Sequence, residues 1–251
     1  MRTHVTALLA AAIALAATTA PAADPPGVVA FKVADPGKIR LFLRDAQGRN
    51  YGSLQAVDAA VRASGHKLLF AMNAGMYHVD RSPVGLFVHE DGGKPVQVAA
   101  LNTRRLAQSA GTPNFYLEPN GVFAIAASGP LIVPTLDYAR SPPAGVRLAT
   151  QSGPLLLMHG QIVAPAVASG TDAPARQIPR NGLCVNGRDV LMVEADAMTL
   201  HQFAVHLRDV EHCVDALFMD GGISVAWDSR SGRHDATDAG NPLGPIIAVV
   251  E

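Results

Sequence analysis

Tight turns set between apolar runs constrain this chain more than any other feature. Val84–Glu90 leads through Asp91-Gly92-Gly93 into Val96–Ala99. Leu155–Met158 leads through His159-Gly160 into Ile162–Ala164, and Leu183–Val185 through Asn186-Gly187 into Val190–Glu194. Asn114–Leu117, then Pro119-Asn120-Gly121, then Val122–Ala126 reads the same way. Two-residue hairpin turns need positive φ at a central residue, which Gly and Asn adopt at least cost. A chain punctuated like this pairs neighbouring strands, and hairpin neighbours run antiparallel.

Helical periodicity is confined to two segments. Ser53 caps a stretch in which Leu54, Val57 and Val61 share a face, and Gly65 closes it. From Thr199 to Glu211, Leu200, Phe203, Ala204, Leu207 and Val210 form a second stripe. The expected class is therefore α+β, with mixed, mainly antiparallel sheets built from hairpins and a few packed helices. Pro165–Pro179 and Ser229–Asn241 read as long surface loops.

Arg2 and His4 precede an apolar run from Val5 to about Ala17, and Ala20-Pro21-Ala22 fits a signal-peptidase site. Residues 1–22 are thus expected to be a secretory signal peptide, leaving one domain over 23–251, periplasmic or secreted, with no membrane span after cleavage. A net charge of −1 offers no basic face, so nucleic acid is not an expected partner. Cys184 and Cys213 are the only cysteines. In an oxidising compartment they are a candidate disulfide, worth roughly 3–4 kcal/mol by chain entropy, and two buried thiols are the alternative. No close Cys/His grouping calls for a metal, and no cofactor is expected. His201, His206 and His212 are spaced too widely to share one helical face and read as solvent-facing.

Two apolar strands each end in a polar residue followed by small ones. Leu68–Met72 runs into Asn73-Ala74-Gly75, and Ala216–Met219 runs into Asp220-Gly221-Gly222. A strand buried on both faces delivers its last polar side chain with little freedom, and glycines beyond it admit a ligand closely. Either loop alone is also an ordinary turn with a self-bonding Asn or Asp. Arg180, ahead of the Cys184 strand, offers a fork for anionic oxygens.

The ordered set is more specific than its parts. Asn73-Ala74-Gly75-Met76-Tyr77, Pro83-Val84-Gly85-Leu86, Asn114-Phe115-Tyr116 with Pro119-Asn120-Gly121, Gln151-Ser152-Gly153-Pro154, Arg180 and Phe218-Met219-Asp220-Gly221-Gly222 follow one another. The series resembles the phosphodiester glycosidase family from about Phe70 to Val250. It departs from the family pattern at Ala74, where a second Gly is usual, and at Ile223-Ser224.

The resemblance implies hydrolysis of the bond between a sugar's anomeric carbon and a phosphodiester oxygen, with a glycan or sugar phosphodiester as substrate. An oxocarbenium-like transition state needs a carboxylate, and Asp220 is the candidate, with Asn73 positioning. A phosphate is already a weak base and needs little general-acid help on leaving. Arg180 is the candidate phosphate contact. Gln151, Ser152, Gly153, Tyr77, Asn114 and Asn120 are candidate substrate contacts, and Gly75, Gly221 and Gly222 could lend backbone amides. The competing expectation is a non-catalytic module binding anionic polysaccharide in the same cleft.

Overall fold

The computed structural model describes residues 27–109, 111–168, 177–220, 223–237 and 240–251. The expected signal peptide lies outside them, as do Gly221 and Gly222. The elements are β1 (Val28–Val33), β2 (Ile39–Phe42), α1 (Leu54–Ala63), β3 (Leu68–Asn73), β4 (Phe87–Asp91), β5 (Lys94–Ala99), β6 (Gly121–Ala126) and β7 (Gly129–Pro134). There follow α2 (Thr135–Arg140), β8 (Leu148–Ser152), β9 (Leu155–Met158), β10 (Gln161–Ile162), α3 (Pro165–Ala168), β11 (Ile178–Asn186) and β12 (Asp189–Met198). The chain closes with α4 (Leu200–Asp209), β13 (Asp215–Phe218), β14 (Ala226–Asp228), β15 (Arg233–His234) and β16 (Ile246–Val250).

These strands form three sheets, ordered β1-β12-β11-β13-β9-β10, β15-β14-β3-β16-β2 and β5-β4-β8-β6-β7. Every pairing among the described residues is antiparallel, within the expected α+β class. The inner faces share one core, to which Phe31, Phe70, Phe87, Phe123, Leu183 and Leu217 contribute. Outer faces are covered separately. Leu200, Phe203 and Leu207 of α4 pack on Leu156, Cys184 and Phe218 of the first sheet. Leu54, Val57 and Val61 of α1 pack on Ala71 and Ala248 of the second, and Tyr138 of α2 on Val122 and Ala149 of the third. Sheets covered on both faces have central strands that read as continuous apolar runs, which is why β6 and β13 show little polar alternation.

Local signals gave most of these elements. Asp91 pairs with Lys94 around Gly92 (φ 56°) and Gly93 (φ 76°), and Met158 with Gln161 around His159 (φ 51°) and Gly160 (φ 74°). The third turn lies one residue later than expected: Asn186 pairs with Asp189, so Gly187 (φ 64°) is the first central residue, as a type II′ turn requires. The fourth hairpin does not form. Asn114–Tyr116 is a short 3₁₀ turn, because the Asn120 Nδ2 donates to the Phe115 carbonyl at 2.9 Å and folds the segment on itself. β6 pairs instead with β7. The Pro165–Pro179 stretch begins in α3 and ends in β11, and Ser229–Asn241 contains β15.

Ser53 Oγ accepts from the Ala56 amide at 3.1 Å, and Thr199 and Gln202 form a capping box on α4. His206 is not solvent-facing as expected: it is 8 % exposed, with Nε2 3.0 Å from Glu211 Oε1. Cys184 and Cys213 form a disulfide across 29 residues, tying β11 to the segment that leads from α4 into β13. No helix among the described residues is long and apolar enough to cross a membrane.

Candidate functional site

The ends of β3, β11 and β13 converge, and the bonds there fall mainly on backbone. Asn73, fully buried at the end of β3, accepts from the Val225 amide through Oδ1 at 3.1 Å, and its Nδ2 lies 3.5 Å from the Asp220 carbonyl. Asn181 of β11 donates through Nδ2 to the Asn73 carbonyl at 2.7 Å and accepts the Asp220 amide through Oδ1 at 2.9 Å. Ser152 Oγ donates to the Met219 carbonyl at 2.6 Å, and Ser224 Oγ to the Asp220 carbonyl at 2.8 Å. The main chain at 219–220 is therefore gripped from four residues.

Strand register brings Arg180 to the same place. Gly182 pairs with Phe218, and the Met219 amide continues the ladder by donating to the Asn181 carbonyl at 3.0 Å. Arg180 is the next residue of β11, beyond the last pair of this ladder. Arg180 is 3 % exposed, its Nε donates to the Met198 carbonyl at 2.8 Å, and its guanidinium lies 5.7 Å from the Phe218 ring centroid. So buried a guanidinium is poorly placed to act as an open anion clamp.

Tyr77 stands beside them, its ring against Gly244. Its hydroxyl is buried and meets no hydrogen bond of normal geometry, with the Gly244 amide and the Arg81 guanidinium as polar neighbours. Burial, and then the charge of Asp220, raise its pKa, so the phenol keeps its proton and acts as a donor.

The remaining expected contacts separate from this group, because successive residues of a strand face opposite ways. Ser152 faces Met219, whereas Gln151 faces away. Gln151 Oε1 accepts from Leu86 N (3.0 Å) and Asn102 N (2.9 Å), and Nε2 donates to Asn102 O (2.8 Å) and Thr135 Oγ1 (3.1 Å). That fills the amide's capacity, so Gln151 is a brace between loops and has nothing left for a sugar. Asn120 and Thr135 line a neighbouring cavity of about 690 Å³ with Arg104, Arg105 and Arg140. Asn114 packs against Gly153. Gly75 and Gly153 are close-approach positions: an added Cβ would lie 2.5 Å from the Gln151 carbonyl oxygen and 2.7 Å from that of Phe115. No group of His, Cys, Asp or Glu suited to a metal ion occurs among the described residues.

Asn181 is the residue the motif reading passed over. The available signal was a lone Asn entering an otherwise apolar strand, since a buried amide must find partners. Asn181→Ala strips a partner from both the Asn73 carbonyl and the Asp220 amide. We expect it to lower stability by about 2–4 kcal/mol in urea unfolding; a loss below about 0.5 kcal/mol would show that the bracing is incidental.

Glu194 of β12 is paired with Asn181 in register. It is 1 % exposed, with Oε2 2.8 Å from an Arg233 guanidinium that also serves Asp196 and Asp235. Burial pushes its pKa up to about 8 against the pull of Arg233, with Asp196 and Asp235 adding to the rise. The native state then keeps a proton that the unfolded chain releases near 4.5. Between those values the folded form binds more protons, so Glu194's contribution to stability falls as pH rises toward 8 and is level beyond. Glu194→Gln should gain on the wild type in Tm between pH 5 and pH 8.5, and a pH-independent difference would refute this assignment.

The phosphodiester glycosidase family model matches residues 66–250. The chain is 31% identical over 192 residues to the uncharacterized protein YigE of Escherichia coli K12, covering 74% of this chain and 68% of that protein. The fold is similar to the catalytic domain of zebrafish N-acetylglucosamine-1-phosphodiester alpha-N-acetylglucosaminidase, with TM-score 0.54, 12% identity, and 91% of this chain and 85% of that one covered.

Proposed function

We propose that this chain, which belongs to the phosphodiester glycosidase family, is an exported hydrolase that cleaves the glycosidic bond of a sugar-1-phosphodiester, with an N-acetylglucosamine-α-1-phosphodiester as the model substrate. The observation that carries this reading is the placement of Asp220. Its backbone is fixed by Asn73, Asn181 and Ser224, and its carboxylate sits beside Tyr77.

Asp220 stabilises or attacks the anomeric carbon as positive charge develops there. Tyr77 donates its phenolic proton in a hydrogen bond to a substrate oxygen. The phosphate leaves as a weak base, so the site needs to hold its charge more than to protonate it. Water then completes hydrolysis, giving free sugar and a phosphomonoester.

The test is release of free sugar by the purified protein from an N-acetylglucosamine-α-1-phosphodiester. Tight binding of phosphoglycans with no sugar released across a substrate panel would replace this reading by the non-catalytic binding module.

A further inference from the structure

The segment from Met76 to Val84 is a small tongue. The Val84 amide donates to the Met76 carbonyl at 3.0 Å, Tyr77 bridges Pro83, and the His78 amide donates to the Ser82 carbonyl at 2.8 Å. Val79, Asp80 and Arg81 make its tip. Arg81 occupies the left-handed position of this three-residue turn at φ 70°. Glycine is the residue that position prefers, and an arginine there carries backbone strain.

Its side chain folds back over Tyr77, with Cζ 5.5 Å from the ring centroid. The adjacent acid does not neutralise it: Asp80 Oδ1 accepts from the Ser82 amide at 3.0 Å and from Ser82 Oγ at 2.6 Å. Arg49, Arg62, Arg105, Arg147, Arg208 and Arg230, by contrast, are each paired with a carboxylate. Among the described residues no ion pair is formed by Arg81. It is half-buried, whereas Arg180 is 3 % exposed. The Tyr77 hydroxyl feels both Arg81 and Asp220.

We propose that Arg81 and the Tyr77 hydroxyl together receive the phosphodiester's anionic oxygens, which makes Arg81 the residue that selects for a phosphate on the anomeric oxygen. This rests on the reading of Asp220 as the carboxylate at the anomeric carbon. A guanidinium over a phenol presents parallel N–H donors beside an O–H donor, a set that matches two non-bridging phosphate oxygens. Half-buried on the tongue, it brings a charge that the buried Arg180 does not present there.

Arg81→Gly tests this cleanly, because Gly relieves the left-handed backbone and should leave Tm equal or higher. Calorimetry would use a methyl N-acetylglucosamine α-1-C-phosphonate, which cannot be cleaved, beside the neutral methyl α-N-acetylglucosaminide. Arg81→Gly should weaken the phosphonate about tenfold or more, and the neutral sugar by much less, with Arg81→Lys recovering part of the loss. On the cleavable diester the loss should appear mainly in KM. Phosphonate binding within about twofold of wild type, equal weakening of both probes, or no phosphonate binding by the wild type would each overturn the proposal. Arg81-dependent phosphonate binding without sugar release would uphold Arg81 and sink the hydrolase. Sugar release indifferent to Arg81→Gly would do the reverse.

Discussion

Asp220→Asn is expected to lower turnover of the phosphodiester by about three orders of magnitude or more while the protein remains folded. The fold should survive because the contacts that hold this segment fall on main-chain atoms. Asn181 takes the Asp220 amide, Ser224 takes its carbonyl and Ser152 takes the Met219 carbonyl. Asn preserves shape and removes the negative charge. An oxocarbenium-like centre then loses its stabilising partner. Ground-state binding should change far less than kcat. Single-turnover rates with Tm measured alongside decide the matter. A folded variant retaining more than about a tenth of wild-type kcat would remove Asp220 from the catalytic role.

Replacing both cysteines, Cys184→Ala with Cys213→Ala, is expected to cost roughly 3–4 kcal/mol and to lower Tm by about 6–16 °C. The bridge closes a loop of 29 residues that contains α4, so most of the effect comes from freeing the unfolded chain. Both side chains are buried, and alanine leaves no unsatisfied polar atom behind. Activity at 25 °C should persist, because Cys184 lies four positions along β11 from Arg180, about 13 Å at strand rise. A thiol assay on denatured, unreduced wild type should find no free thiol. A Tm unchanged by the double substitution would contradict the stabilising role.

Much of this was legible because its causes are local. Ser53 and Thr199 cap their helices with bonds to residues a few positions away. Gly92-Gly93 and His159-Gly160 close hairpins by their own φ values, and the run from Leu68 to Asn73 reads as a strand covered on both faces. Even there, the Asn186 turn slipped by a residue, and Asn120 turned a predicted strand into a folded loop.

The sequence by itself determined the hairpin-rich class, the helix ends, the family series, and the delivery of Asn73 and Asp220 to strand ends. Tertiary structure alone decided which polar groups share a space. Gln151 and Ser152 are neighbours in the series, yet strand alternation sends one into a loop brace and the other under Met219. The bond from Asn181 to Asn73 spans 108 residues, and no local pattern encodes a partner at that distance. Backbone preference and turn chemistry act over a few residues, so sequence reports them directly. Burial, register and charge environment are set by what other strands bring alongside. The partners of Asn181, Glu194 and Arg81 are therefore set only in the folded chain.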